Sequence, residues 1–262
     1  MPEMEVGPQL ENIKAIFLDL DGTIYLGDKL IDGALSFLER CRERGIAYYF
    51  LSNNSSKSVN EYLEKLQRLG IEAMPDDVLL STHDLIAYLG QHNYSKTYVV
   101  GTEGMKSMLH AQGIETESSQ PELVVVGYDT ELTYEKLVKA SVFLHQGVPL
   151  VASHPDMVCP SPNGGLPDVG AFLALFEKTT GKKPMHICGK PNPGMILHKI
   201  ESLGLHPKEC AMVGDRIYTD MEMAKQANVV SILVLSGEAS LEDLNDDNEI
   251  NIIVSSVDKL LR

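Results

Sequence analysis

The chain of 262 residues carries 22 Lys and Arg against 37 Asp and Glu, a formal net charge of −15, and 44% of it is hydrophobic. That length suits one large domain or two modest ones, and the apolar content is that of a globular protein rather than a disordered one. The negative balance speaks against nucleic acid and against an electrostatic membrane binder, because both select basic surfaces.

Residues 1–12 are acidic and lack the basic-then-apolar pattern of a signal peptide. No run approaches the roughly 18 to 20 apolar residues that span a bilayer, so a cytoplasmic location is expected. The apolar run 15–20 (AIFLDL) ends at acidic residues and Gly22 and predicts a buried parallel strand. Helical spacing follows over 33–44, with Gly45 as its stop. A second apolar run, 46–51, ends at Ser52-Asn53-Asn54, and 58–69 predicts another helix before Gly70. This alternation predicts a parallel sheet with crossover helices. The middle of the chain has its own apolar runs at 97–100, 123–126 and 149–152, with a helical pattern over 132–146. The stretch 153–170 is dense in Pro, Gly and Asp and predicts irregular chain. The last third returns to the first pattern: a weak strand at 185–188, Gly189-Lys190-Pro191, a helix over 193–203, a strand at 210–213 ending in Gly214-Asp215, a helix over 221–227, and strands at 231–235 and 250–254 before a short helix. The expected fold is α/β: a doubly wound parallel sheet built from 1–80 and 183–262, with a second α/β unit, 81–182, inserted into it. The four scattered cysteines form no C-x-x-C pair and are read as reduced core thiols.

In open parallel sheets, ligands bind outside the carboxyl ends of the strands, near the point where the winding reverses. Asp19 and Asp21 lie at such an end, and two carboxylates two residues apart can face one small volume. Three more polar groups lie at strand ends of the same kind: Ser52 with Asn53 and Asn54, Lys190, and Asp215 with Asp220. Asp19 and Asp215 make a hard, all-oxygen set suited to Mg²⁺. Lys190 precedes a helix whose free N–H groups favour an anion, and Ser52 with the amides after it suits phosphate oxygens. Carboxylates, a hard cation, one ammonium and hydroxyl donors together indicate phosphoryl transfer.

The runs FLDLDGTIY, FLSNNSS, CGKPNP and MVGDRIYTD occur in the order of the four motifs of the haloacid dehalogenase-like (HAD) phosphohydrolases. From Ile13 onward the chain resembles that superfamily, and in its S-N-N-S and G-K-P-N-P forms and its inserted cap the NagD-like, class IIA group that includes 4-nitrophenyl phosphatase and pyridoxal phosphate phosphatase. The resemblance implies a Rossmann-like core with an α/β cap. It implies a Mg²⁺-dependent phosphatase for small phosphorylated metabolites. Asp19 would be the nucleophile, Asp21 the acid and then the base. Asp19, the backbone carbonyl of Asp21 and Asp215 would hold the metal. Ser52, Asn53, Asn54 and Lys190 would bind phosphate, and Asp220 would orient Lys190 or a metal-bound water. It is also compatible with a homodimer.

Alternatives stand beside these readings. Asp220 fits an N-terminal helix cap, Asn54 and Ser55 fit a cap of the next helix, and Arg216 fits a surface residue in a local ion pair. His154 and Asp156 fall where the family reads its substrate, or they serve the loop itself; the subfamily's T-N-x-D stretch is here Ser153-His154-Pro155-Asp156. A phosphotransferase or mutase on the same fold, or a non-catalytic phosphometabolite-binding regulator, are the rival functions.

Overall fold

Ala15–Asp19 is apolar along its length until its last residue and buried throughout, as a strand covered on both faces must be. In the computed structural model, which describes residues 10–161, 164–244 and 249–261, it lies inside a six-stranded sheet. The order is Ile252–Val254, Val230–Val234, Cys210–Gly214, Ala15–Asp19, Ala47–Ser52 and Val78–Leu80. Ala15–Asp19 runs parallel to both neighbours: Ala15 faces Cys210 on one side and Ala47 on the other. From Ala15–Asp19 the chain winds outward to Ala47–Ser52, then returns to fill the other side. The switch point therefore falls between Ala15–Asp19 and Cys210–Gly214, which sets Asp19 and Asp215 at neighbouring strand ends. The doubly wound parallel sheet expected from the sequence is the one observed.

Two compact units make up the chain. The first, residues 1–52, 62–79 and 191–262, holds this sheet. Its helices bury one stripe each: Val59–Arg68 turns Tyr62 and Leu66 inward, and Ala34–Glu43 buries Phe37, Leu38 and Cys41. Phe17 stacks on Tyr49 at 5.7 Å between ring centroids, within a cluster with Met195, Ile196, Met212 and Met223. Phe17→Ala is expected to cost about 3–5 kcal/mol, read as a lowered urea midpoint at unchanged slope.

The second unit, residues 53–61 and 80–190, has a four-stranded parallel sheet ordered His186–Ile187, Leu150–Ala152, Leu123–Val126, Thr97–Val100. Alternate residues serve two cores: Val124 and Val126 pack with Phe172 and Phe176, while Leu123 and Val125 pack with Leu85 and Met105.

Three expectations change. The run read at 185–188 as part of the first sheet pairs instead with Leu150–Ala152, and the division falls after 190 rather than at 182. Residues 53–61 also group with the second unit, held by Ser55 Oγ to Ser153 Oγ at 2.9 Å and by Thr102 Oγ1 donating to the Ser56 carbonyl at 2.8 Å. The stretch read as irregular, of which 162–163 lie outside the described residues, contains a ribbon of Val158–Cys159 with Leu166–Pro167 and the start of the helix Val169–Thr180. Residues 1–9, most of the stretch read for a signal peptide, are likewise outside. Among the described residues no helix is long and apolar enough to cross a membrane. All four cysteines are free, and burial pushes the Cys41 thiol up to about 12 and that of Cys210 to about 11.

Candidate active site

In the first unit, Asp19, Asp215 and Asp220 each bring a carboxylate oxygen within 4.8 Å of the others. They are 8%, 2% and 0% exposed. Three anions so close and so dry demand positive charge, and three hard oxygen donors fit a hard divalent cation. The carboxylate of Asp220, expected one step back from the metal, lies within the same cluster. It also accepts the Arg216 N–H at 3.1 Å, across the single π-helical turn Ile217–Met221. The helix Glu222–Ala227 is capped by Met221, so Asp220 is not its cap.

Local backbone holds these carboxylates in place. Asp215 accepts the Glu238 N–H at 2.7 Å. Gly22, at φ +91°, lets the loop after Asp21 turn directly against the Asp215 carboxylate, where any Cβ would overlap it. Ser236 Oγ donates to the Gly22 carbonyl at 2.7 Å and locks that turn. Asp21 itself is exposed, and partial desolvation raises its carboxyl despite the lowering effects of Lys65, the Gly27 backbone and Arg216. Only a two-residue ribbon, Tyr25–Leu26 with Lys29–Leu30, follows it, as the short spacing to the first helix implies.

Arg216 makes the local ion pair expected of it but is part-buried rather than on the open surface: desolvation disfavours its charge, and Asp19, Glu238 and Asp215 outweigh that and keep it firmly cationic. Its Nε pairs with Glu238 at 2.9 Å. Its position directly after Asp215, at a strand end, was the available signal. Lys65 is the residue the sequence reading missed. It lies 3.8 Å above the Tyr25 ring and acts on Asp21; a helical lysine gives no such signal in sequence. Ser52 Oγ meets the Tyr62 hydroxyl at 2.8 Å.

In the second unit, Asn53 and Lys190 come together, but not as two side chains facing a ligand. Asn53 Oδ1 accepts the Lys190 N–H at 2.7 Å, and its amide donates to the Lys190 carbonyl at 3.0 Å and to the Asp156 carboxylate at 3.1 and 3.2 Å. Its side chain is fully used as a clamp on the Lys190 backbone and on Asp156, which leaves its backbone N–H for the phosphate-binding role expected of it. Gly189, at φ +69°, makes the close approach possible, since a Cβ there would press on Asn53 Oδ1 at 2.7 Å. The Gly189 N–H is taken by Asp84 at 2.8 Å. The Asn54 side-chain oxygen accepts from Ser56 N and Oγ at 2.9 and 2.6 Å, a local turn. Ser55 is buried, accepting the Tyr128 N–H at 2.8 Å. His154 is wholly buried between Asp156 and Asp168, an arrangement that fits the loop-structure reading given for it. Asp156 serves Asn53.

Asn53→Ala strands two buried backbone groups of Lys190. It is expected to lower stability by about 2–3 kcal/mol, measured by a denaturant melt.

Residues 16–115 match the family model described as haloacid dehalogenase-like hydrolase, and residues 187–260 match one described as HAD-hydrolase-like. An acid sugar phosphatase of Staphylococcus aureus is 33% identical over 241 residues, 91% of this chain and 93% of that protein. The chain belongs to the haloacid dehalogenase-like hydrolases. Among solved HAD structures, a 4-nitrophenylphosphatase of Thermotoga maritima matches with TM-score 0.93 and 38% identity over 97% of this chain and 98% of that one. NagD of Escherichia coli K-12 matches with TM-score 0.87 and 28% identity over 95% and 98%. Within the HAD hydrolases the chain thus sits in the phosphatase group of NagD and the 4-nitrophenylphosphatases.

Proposed function

We propose that the chain hydrolyses small phosphomonoesters, sugar phosphates among them, with Mg²⁺ and through an aspartyl phosphate on Asp19. The observation that carries this is the buried convergence of Asp19, Asp215 and Asp220 at the sheet's switch point, beside Asp21 and Arg216. The names of the Staphylococcus aureus relatives support the sugar phosphate class.

Asp19 attacks phosphorus, forming an O–P bond as the ester O–P bond breaks. Asp21 gives its proton to the departing alkoxide, then takes one from the water that opens the acyl phosphate, restoring Asp19 and releasing phosphate. Asp19, Asp215, Asp220 and the Asp21 carbonyl would hold Mg²⁺, which when bound offsets repulsion between carboxylate and phosphate dianion. On the match of motifs, Ser52, Asn53 and Lys190 would bind the phosphoryl oxygens; within the second unit the clamp from Asn53 fixes the Lys190 backbone. The free thiols support the cytoplasmic placement.

The test is phosphate release across a panel of sugar phosphates, nucleoside monophosphates and 4-nitrophenyl phosphate, with Mg²⁺ and with EDTA. Release that EDTA stops supports the reading. Phosphate passed to an acceptor other than water points to a phosphotransferase, and binding without turnover to a regulator.

A further inference from the structure

His154 is unusual among the polar groups of the second unit. Its ring is completely buried, and neither nitrogen has a hydrogen-bond partner among the described residues. Both nitrogens nevertheless face carboxylates: Nδ1 is 3.7 Å from Asp156 Oδ2, and Nε2 is 3.6 Å from Asp168 Oδ1. These spacings are too long for hydrogen bonds.

A neutral imidazole carries one N–H and one lone pair, so in either tautomer one carboxylate looks at a lone pair. A fully buried imidazole with two unpartnered nitrogens, set between two carboxylates, is placed to ligate a cation.

We infer that His154, Asp156 and Asp168 form a second divalent-cation site, in the second unit and distinct from the Asp19, Asp215 and Asp220 cluster. One atom from each residue lies within 4.8 Å of the others. One nitrogen and two carboxylates select a borderline ion of the Zn²⁺ class over Mg²⁺, which prefers oxygen alone. The carboxylates are already oriented, as metal ligands are: Asn53 donates to Asp156, and the Val169 N–H donates to Asp168 Oδ1 at 2.7 Å. The nearby Lys190 opposes the ion with one positive charge against two negative ones. One His154 nitrogen would ligate the ion, and the other would keep the proton of the neutral ring. The ion's role is structural. It ties the loop after Leu150–Ala152 to the start of the helix Val169–Thr180 and, through Asp156, to Asn53.

The test uses full-length protein stripped with chelator, then dialysed against Zn²⁺ in excess Mg²⁺, with bound zinc measured by elemental analysis. The expected result is one zinc per chain in the wild type and in Asp19→Asn, with at least a tenfold loss of zinc affinity in His154→Gln and Asp168→Asn. Cobalt substitution of the wild type gives a visible spectrum without relying on any variant folding. Absence of bound zinc in the wild type, or equal affinity in folded His154→Gln, overturns the site. So does loss of zinc in Asp19→Asn.

Discussion

Asp19→Asn is expected to release phosphate at least about ten-thousand-fold more slowly than the wild type, with no loss of folding. The rate follows from chemistry: an amide does not displace an alkoxide from phosphorus, so the covalent route is closed, and removing a nucleophile costs losses of this order. The folding follows from electrostatics. Asp19 is one of three buried carboxylates within 4.8 Å of one another, and Asn has nearly the same shape. Removing one of three clustered anions relieves repulsion, so the metal-free variant melts at or above the wild-type temperature, while added Mg²⁺ raises its melting point less. A variant keeping a tenth of wild-type activity contradicts the role of Asp19.

Gly22→Ala is expected to be the most damaging substitution that changes no functional group. The new methyl would occupy the space of the Asp215 carboxylate, and φ of +91° is strained for alanine. Either the turn opens or Asp215 moves, and both displace a metal ligand without altering it. The cost is about 3 kcal/mol in stability and about a hundredfold or more in kcat, with a weakened dependence on Mg²⁺. Denaturant melts and Mg²⁺ titrations of activity check both. An alanine variant with unchanged Mg²⁺ affinity would show that Asp215 is not held by this turn.

The sheet that places Asp19 and Asp215 side by side was legible because its strands are long apolar runs ending abruptly in Asp, Ser or Gly, and alternation with helices leaves few topologies. What was not legible depended on distance in sequence. His186–Ile187 is two residues long, and nothing in them names Leu150–Ala152 as partner. The side chain of Asn53 gave no sign of its role as a clamp; only its pairing with Lys190, 137 positions away, shows it. The local ion pair of Arg216 was legible but its part-burial was not, and Asp168 gave no signal because it lay in a stretch read as loop. In each case the residue type was visible and its partner was not.

The central claim, a phosphoryl group carried on Asp19, is tested most directly by mixing enzyme with Mg²⁺ and a sugar phosphate, quenching in acid during turnover, and weighing the peptides. The predicted result is one phosphoryl group on the peptide containing Asp19, absent in Asp19→Asn and lost on treatment with hydroxylamine. Turnover with no phosphoryl group on that peptide, under conditions that accumulate intermediates, would contradict it.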